Sequence, residues 1–175
     1  MGTTQEVQPS ELMAMTLDIL QVAKAVLASL SGPLEGRHGL SLGEVDVLAN
    51  LSMAPQGTLR MSRLSDALVT NRTAVTRLID GLEAKGLVER RAAAGDRRAV
   101  NAAITDAGRD MFCDVRPFLE DRLRHELGDA LSDEQATTLR SAMATILARL
   151  GRPSRPLYQP PGRRISGGGD SESGA

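Results

Sequence analysis

The stretch from Ser62 to Ile104 constrains the fold most, because it sets several short elements and their stop signals in quick succession. Ser62 is placed to cap a short helix through Leu68, with Leu64, Ala67 and Leu68 inward. After a brief turn, Asn71 is placed to cap a second helix that runs to Lys85 and stops at Gly86, a residue suited to a left-handed C-cap. The second helix divides into two faces. Ala74, Val75, Leu78, Ile79 and Leu82 recur at core spacing, whereas Thr73, Thr76, Arg77 and Asp80 form the opposite stripe. Residues 87–91 and 100–104 then read as two short strands joined through a Gly95-Asp96 turn, a hairpin directly after a helix pair.

The flanks read as helices. Residues 11–30 are apolar in nearly every helical direction except a narrow stripe through Asp18, Gln21, Lys24 and Ala28, so this helix needs partners on several sides, and a second copy of the chain is a natural one. Ser31-Gly32-Pro33 is expected to end it, with a loop over 36–39. Ser41 and Glu44 form a capping box, with Leu40 and Val45 as its hydrophobic staple, for a helix over 42–53 closed by Pro55-Gln56-Gly57. Thr105-Asp106 caps a later helix carrying Met111, Val115, Phe118 and Leu119 on one face, which Pro117 is expected to kink or interrupt. A second capping box, Ser132 to Gln135, opens a helix striped by Ala136, Leu139, Met143, Ile146 and Leu150. Residues 151–175, rich in Pro and Gly, read as a disordered tail.

Composition excludes several classes. With one Tyr, two Phe and no Trp, the core must be built from Leu, Val, Ile, Ala and Met, which favours helices. One Cys excludes an intramolecular disulfide framework, and no Cys/His cluster has zinc-ligand spacing, so no cofactor or metal is expected and the chain reads as intracellular. The charges along 12–30 argue against a membrane span, and Glu6 and Glu11 stand where a signal peptide would be basic. The net charge of -1 hides an uneven distribution. Residues 58–109 hold ten Lys/Arg and six Asp/Glu, net +4, against 11 and 16, net -5, elsewhere.

Five fragments in order and register carry a resemblance. Leu64-Ser65-Asp66-Ala67-Leu68, Thr73 to Asp80, Leu82-Glu83-Ala84-Lys85-Gly86-Leu87-Val88-Glu89-Arg90, Gly95-Asp96-Arg97-Arg98 and Ile104-Thr105-Asp106-Ala107-Gly108 resemble the MarR family of regulators. The resemblance covers residues 10–150. It implies a mainly α fold with a small β-wing: a winged helix-turn-helix over 41–104, and dimerisation helices over 10–31 and 105–150. It further implies a cytoplasmic homodimer that binds double-stranded DNA at a pseudo-palindromic operator and answers to a small aromatic or anionic effector. Val69 stands where the family usually has Gly in the turn between the two reading helices.

A helix inserted in a major groove needs small and hydrogen-bonding side chains outward, because base edges must approach its backbone. Arg72, Thr73, Thr76 and Arg77 meet that need, and Ser62 and Arg63 are candidate phosphate contacts. In the hairpin, the resemblance implies that Arg98 enters the minor groove with Asp96 holding its guanidinium. Arg97 is a candidate phosphate contact. Arg90 and Arg91 alternate across the strand and cannot both face DNA; Arg91 is the candidate. Met13 and Met53 are candidates to line an adaptable effector cavity, where Arg37 or His38 could neutralise an anion. Cys113 reads as a small packed residue, with redox sensing as the alternative. His38 and His125 lack metal-ligand partners at short spacing. A winged helix used only for protein binding is the rival reading; no arrangement of nucleophile and base supports an enzyme.

Overall fold

A computed structural model describes residues 7–68, 72–93, 96–152 and 154. In chain order the elements are α1 (Pro9–His38), α2 (Leu42–Met53), β1 (Thr58–Arg60), α3 (Met61–Ala67), α4 (Arg72–Ala84), β2 (Val88–Ala93), β3 (Asp96–Ile104), α5 (Asp106–Leu127) and α6 (Asp133–Arg149). Short 3-10 turns occupy Pro55–Gly57 and Gly128–Ala130. Helices α2, α3 and α4 with an antiparallel sheet of order β1-β3-β2 make a winged helix-turn-helix. β3 is central, pairing Ala103 with Thr58 on one side and Ile104 with Val88 on the other.

The core sits where these elements meet. Leu48 and Leu51 of α2, Leu64 of α3 and Ile79 and Leu82 of α4 are wholly buried, as the alternation of apolar positions requires. The α2 capping box forms: Ser41 N–H donates to Glu44 Oε2 at 2.8 Å, and Glu44 N–H to Ser41 Oγ at 3.3 Å. The α6 box forms likewise between Ser132 and Gln135. At the end of α4, Gly86 takes φ 71; its N–H reaches Glu83 O and the Leu87 N–H reaches Leu82 O, the paired bonds of a Schellman stop.

Several expectations fail. α1 does not end at Ser31-Gly32-Pro33, and 36–39 is not a loop: the helix continues to His38 and stops at Gly39, whose φ is 64 and whose N–H donates to Glu35 O at 2.9 Å. Leu30 and Leu34, on either side of Pro33, are buried in the core. Burying two leucines contributes about 3–6 kcal/mol, enough to offset the ~3 kcal/mol that an interior proline costs. α5 likewise passes Pro117 without interruption. α3 begins at Met61 directly from β1, so Ser62 lies inside its first turn and is not its cap. The wing strands are longer than expected: β2 runs on to Ala93, and β3 begins at Asp96, a residue the sequence places in the turn, and takes in Arg97 and Arg98. Gly151 and Arg152, assigned to the tail, are fixed: Arg152 N–H donates to Leu147 O at 2.8 Å and its guanidinium to Asp66 O at 3.0 Å. The Asn71 cap, Val69, Gly95 and the tail from 155 onward lie outside the described residues.

Two helices leave apolar surface uncovered. On α1, Met13 and Leu20 are 64% and 62% exposed, and no residue of α6 is buried. By length and composition alone α1 could cross a membrane, with a mean hydropathy of 1.5 over its most apolar window. Its last turns, however, are core of the winged helix.

Candidate nucleic-acid interface

α4 presents the outward stripe that its sequence predicts. Thr73, Thr76 and Arg77 are exposed, while Val75, Ile79 and Leu82 on the opposite face are buried. Ser62 and Arg63 of α3 are exposed beside them. Between α3, α4 and the sheet lies an open cleft of about 450 Å³, bordered by Arg60, Ser62, Thr76, Arg90 and Val100. Arg60 went unnoticed in the sequence because its three-residue strand is too short to show an alternating pattern. The side chains of Arg72, Asp96, Arg97 and Arg98 lie outside the described structure; the backbone places the last three in β3, at the hairpin beside α4.

The two strand arginines have separate duties. Arg90 bridges the wing to α4: its Nη2 donates to Asp80 Oδ1 at 2.6 Å, its Nη1 to Glu83 Oε2, and its backbone N–H to Glu83 Oε1 at 3.0 Å. Partial burial works against the charge on Arg90, but the two carboxylates outweigh it and hold the guanidinium pKa above its ordinary value. Asp80, on the outward stripe of α4, is therefore a strut between α4 and β2. Arg91 is exposed and bonds Glu89 through Nε at 2.7 Å. Any phosphate contact by Arg91 would have to compete with that carboxylate.

A second strut fixes the far end of α4. Lys85 Nζ donates to Gly39 O at 2.8 Å and to Glu44 Oε1 at 2.6 Å, joining the end of α1, the start of α2 and the end of α4. Glu44 is the one buried charged side chain among the described residues. Burial pushes its carboxyl up, but hydrogen bonds from Lys85 and Ser41 outweigh this and hold it below the ordinary value of 4.5. A carboxylate held below its unfolded value adds stability above that value, and the contribution disappears as pH falls through the folded one. Lys85→Met is expected to cost about 1–2 kcal/mol at pH 7, since Lys85 is partly exposed and screened. The difference between the two proteins should shrink as pH falls and Glu44 takes up a proton. Urea midpoints from pH 7 to 3 measure both, and parallel curves for the two proteins would refute the strut.

The proposed effector residues do not gather. An apolar cavity of about 630 Å³ opens between α1, α2 and α5, lined by Val26, Leu30, Val45, Phe112, Leu119 and Leu123 among others, with Arg116 and Glu120 at its edge. Met13, Arg37, His38 and Met53 are not among its lining residues. Met13 projects from the exposed part of α1. Arg37 and His38 instead pack on Phe118, the guanidinium 5.5 Å above the ring centre and the imidazole 5.3 Å from it. Cys113 is exposed on α5 and not packed as expected, because Phe112 and Val115 take the inward positions around it. Among the described residues, no group of three or more His, Cys, Asp or Glu is placed to hold a metal ion.

Residues 38–99, from the end of α1 through the hairpin, match the sequence profile described as the MarR family. The chain belongs to the MarR family. It is 34% identical over 103 residues to the transcriptional repressor MprA of Escherichia coli K12, an alignment covering 59% of this chain and 58% of MprA. The chain thus spans less than two thirds of the length of that MarR-type relative. Among solved structures, AbsC of Streptomyces coelicolor, a MarR family transcriptional regulator, superposes with a TM-score of 0.71 at 27% identity, covering 85% of this chain and 99% of AbsC. Sco3205 of the same organism, solved in complex with DNA, gives 0.73 at 24% identity over 87% and 95% of the two chains, a likeness of fold. These MarR relatives are regulators, not enzymes.

Proposed function

We propose that this MarR-family chain is a transcription regulator that binds duplex DNA as a cytoplasmic homodimer and represses nearby genes. The observation that carries the reading is the two-faced α4. One face is locked into the core, and the other displays Thr73, Thr76 and Arg77 beside a hairpin braced by Arg90. Small hydroxyl and long cationic side chains on an exposed helix face suit a major groove, with Arg72 in the same turn. Ser62, Arg63 and Arg97 would take phosphates, and Arg98, oriented by Asp96, would enter the minor groove, where a narrow A·T-rich tract concentrates negative potential. Repression follows the role of MprA, a transcriptional repressor.

The exposed faces of α1 and α6 support dimerisation through residues 10–31 and 105–150, leaving 41–104 as the reading head. Burial against a second chain answers the apolar α1 better than a membrane does, because Asp18 and Lys24 lie mid-helix and its last turns are core. Twofold symmetry then calls for a pseudo-palindromic operator, with half-sites about 34–36 Å apart. The cavity between α1, α2 and α5 suits a small, largely apolar or aromatic effector.

A salt titration of binding to DNA upstream of the protein's own gene, against a scrambled duplex, tests the reading. Wild type is expected to prefer the upstream duplex and to weaken steeply with salt. Arg98→Ala should weaken the complex roughly tenfold. Equal or absent binding to both duplexes at every salt concentration would favour a protein-binding winged helix instead.

A further inference from the structure

Pro33 has no N–H, so the carbonyl of Ser29, four residues earlier in α1, loses the intrahelical donor that any other residue would supply. That carbonyl is partly buried against α5, and Arg122 of α5 donates its Nη2 to it at 3.3 Å. Glu126, one turn further along α5, lies 3.7 Å from the same nitrogen and steadies it. The bond spans 93 residues of sequence and joins the two long helices at the level where α1 changes character. Beyond this point, Leu30 and Leu34 are buried in the reading head; before it, Leu12 to Leu27 project as an exposed apolar arm. The vacancy made by proline is filled by a cation from the neighbouring helix.

We propose that Pro33, the Ser29 carbonyl and Arg122 form a bend and latch that sets the angle between the α1 arm and the reading head, and so the separation of the two heads. This rests on the dimeric reading above. Proline bends a helix because its ring displaces the preceding turn, and bends of more than about 20° are commonly its work. The arm before it is ~30 Å long at 1.5 Å per residue over roughly 20 residues, so a 20° change would displace its far end by about 10 Å. Either the bend or the latch alone would leave the arm angle loose. Together they define it, because the cation from α5 takes the place of the donor that proline withholds.

The test is the distance between spin labels attached at Ala84→Cys in each protomer, in a Cys113→Ser background, with oligomeric state checked by sedimentation at the same concentration. Pro33→Ala restores the missing N–H and should shift the mean distance by roughly 5–10 Å without loss of the fold. Arg122→Met keeps the apolar stem, removes the donor, and should broaden and shift the distribution. In the Pro33→Ala background the Ser29 carbonyl is already satisfied, so adding Arg122→Met should produce no further change. Simple loss of packing would not give that pattern. Distributions that superimpose on wild type, or effects of the two substitutions that add, would overturn the latch while leaving the dimer intact. A monomer in sedimentation would overturn the dimeric reading and the latch with it.

Discussion

Gly108→Ala is expected to lower stability by about 2–3 kcal/mol and the melting temperature by roughly 5–10 °C, although alanine is the better helix former by about 1 kcal/mol. A Cβ at this position would lie 2.1 Å from the carbonyl oxygen of Leu87 and 2.8 Å from the Ile104 side chain. The Leu87 carbonyl cannot simply withdraw, because it accepts the Thr105 N–H at 3.1 Å while Thr105 Oγ holds Gly86 O at 2.8 Å. The Gly108 N–H is itself bound by that same Thr105 hydroxyl, the N-cap of α5. Three constraints therefore converge on a backbone with no room for a methyl group, and the collision outweighs the gain in helix propensity. Thermal unfolding followed by circular dichroism decides it; an unchanged or raised midpoint would mean that α5 can slide away from the α4–β2 corner at little cost.

That corner explains why parts of the chain were readable beforehand. The stop of α4 at Gly86 and the boxes at Ser41 and Ser132 are contacts among residues three to five apart, so the sequence displays all the partners at once. The same holds for α4, whose core and outward faces follow directly from spacing. Pro33 shows where local logic fails. The local signal to stop was real, but Leu30, Leu34 and Arg122 override it through contacts with α5 and the core, which local spacing cannot reveal. β1 escaped notice for the opposite reason: three residues carry too little pattern, and only pairing with β3 makes them a strand.

The site was legible in its exposed half and hidden in its braces. Thr73, Thr76 and Arg77 could be named because an outward stripe is a property of one helix. Glu44 was visible only as a cap, since its partner Lys85 lies 41 residues away. Asp80 looked like one more solvated carboxylate until β2 brought Arg90 to it. Arginine content alone could not tell Arg90, tied to two carboxylates, from Arg77, which is left outward. Once the pairs are known, the positive balance of the reading region divides into cations engaged by the protein and cations presented to the surroundings.

Arg77 is the test of that division. Arg77→Ala is expected to weaken binding to the upstream duplex by about 10- to 100-fold, corresponding to roughly 1–3 kcal/mol, with little change in melting temperature because the side chain is exposed on the outer face of α4. The form of the loss identifies the contact. If the guanidinium lies on a phosphate, affinity should fall alike for all sequences and the slope of log K against log salt should decrease by about 0.9. If it reads a guanine edge, the slope should change little and discrimination at one base pair should relax. Arg91→Ala in the same titration should have a smaller effect, because Glu89 already engages that guanidinium. Affinity, slope and discrimination all unchanged in Arg77→Ala would mean that the outward face of α4 does not enter the groove, and the reading head would have to meet DNA by another surface.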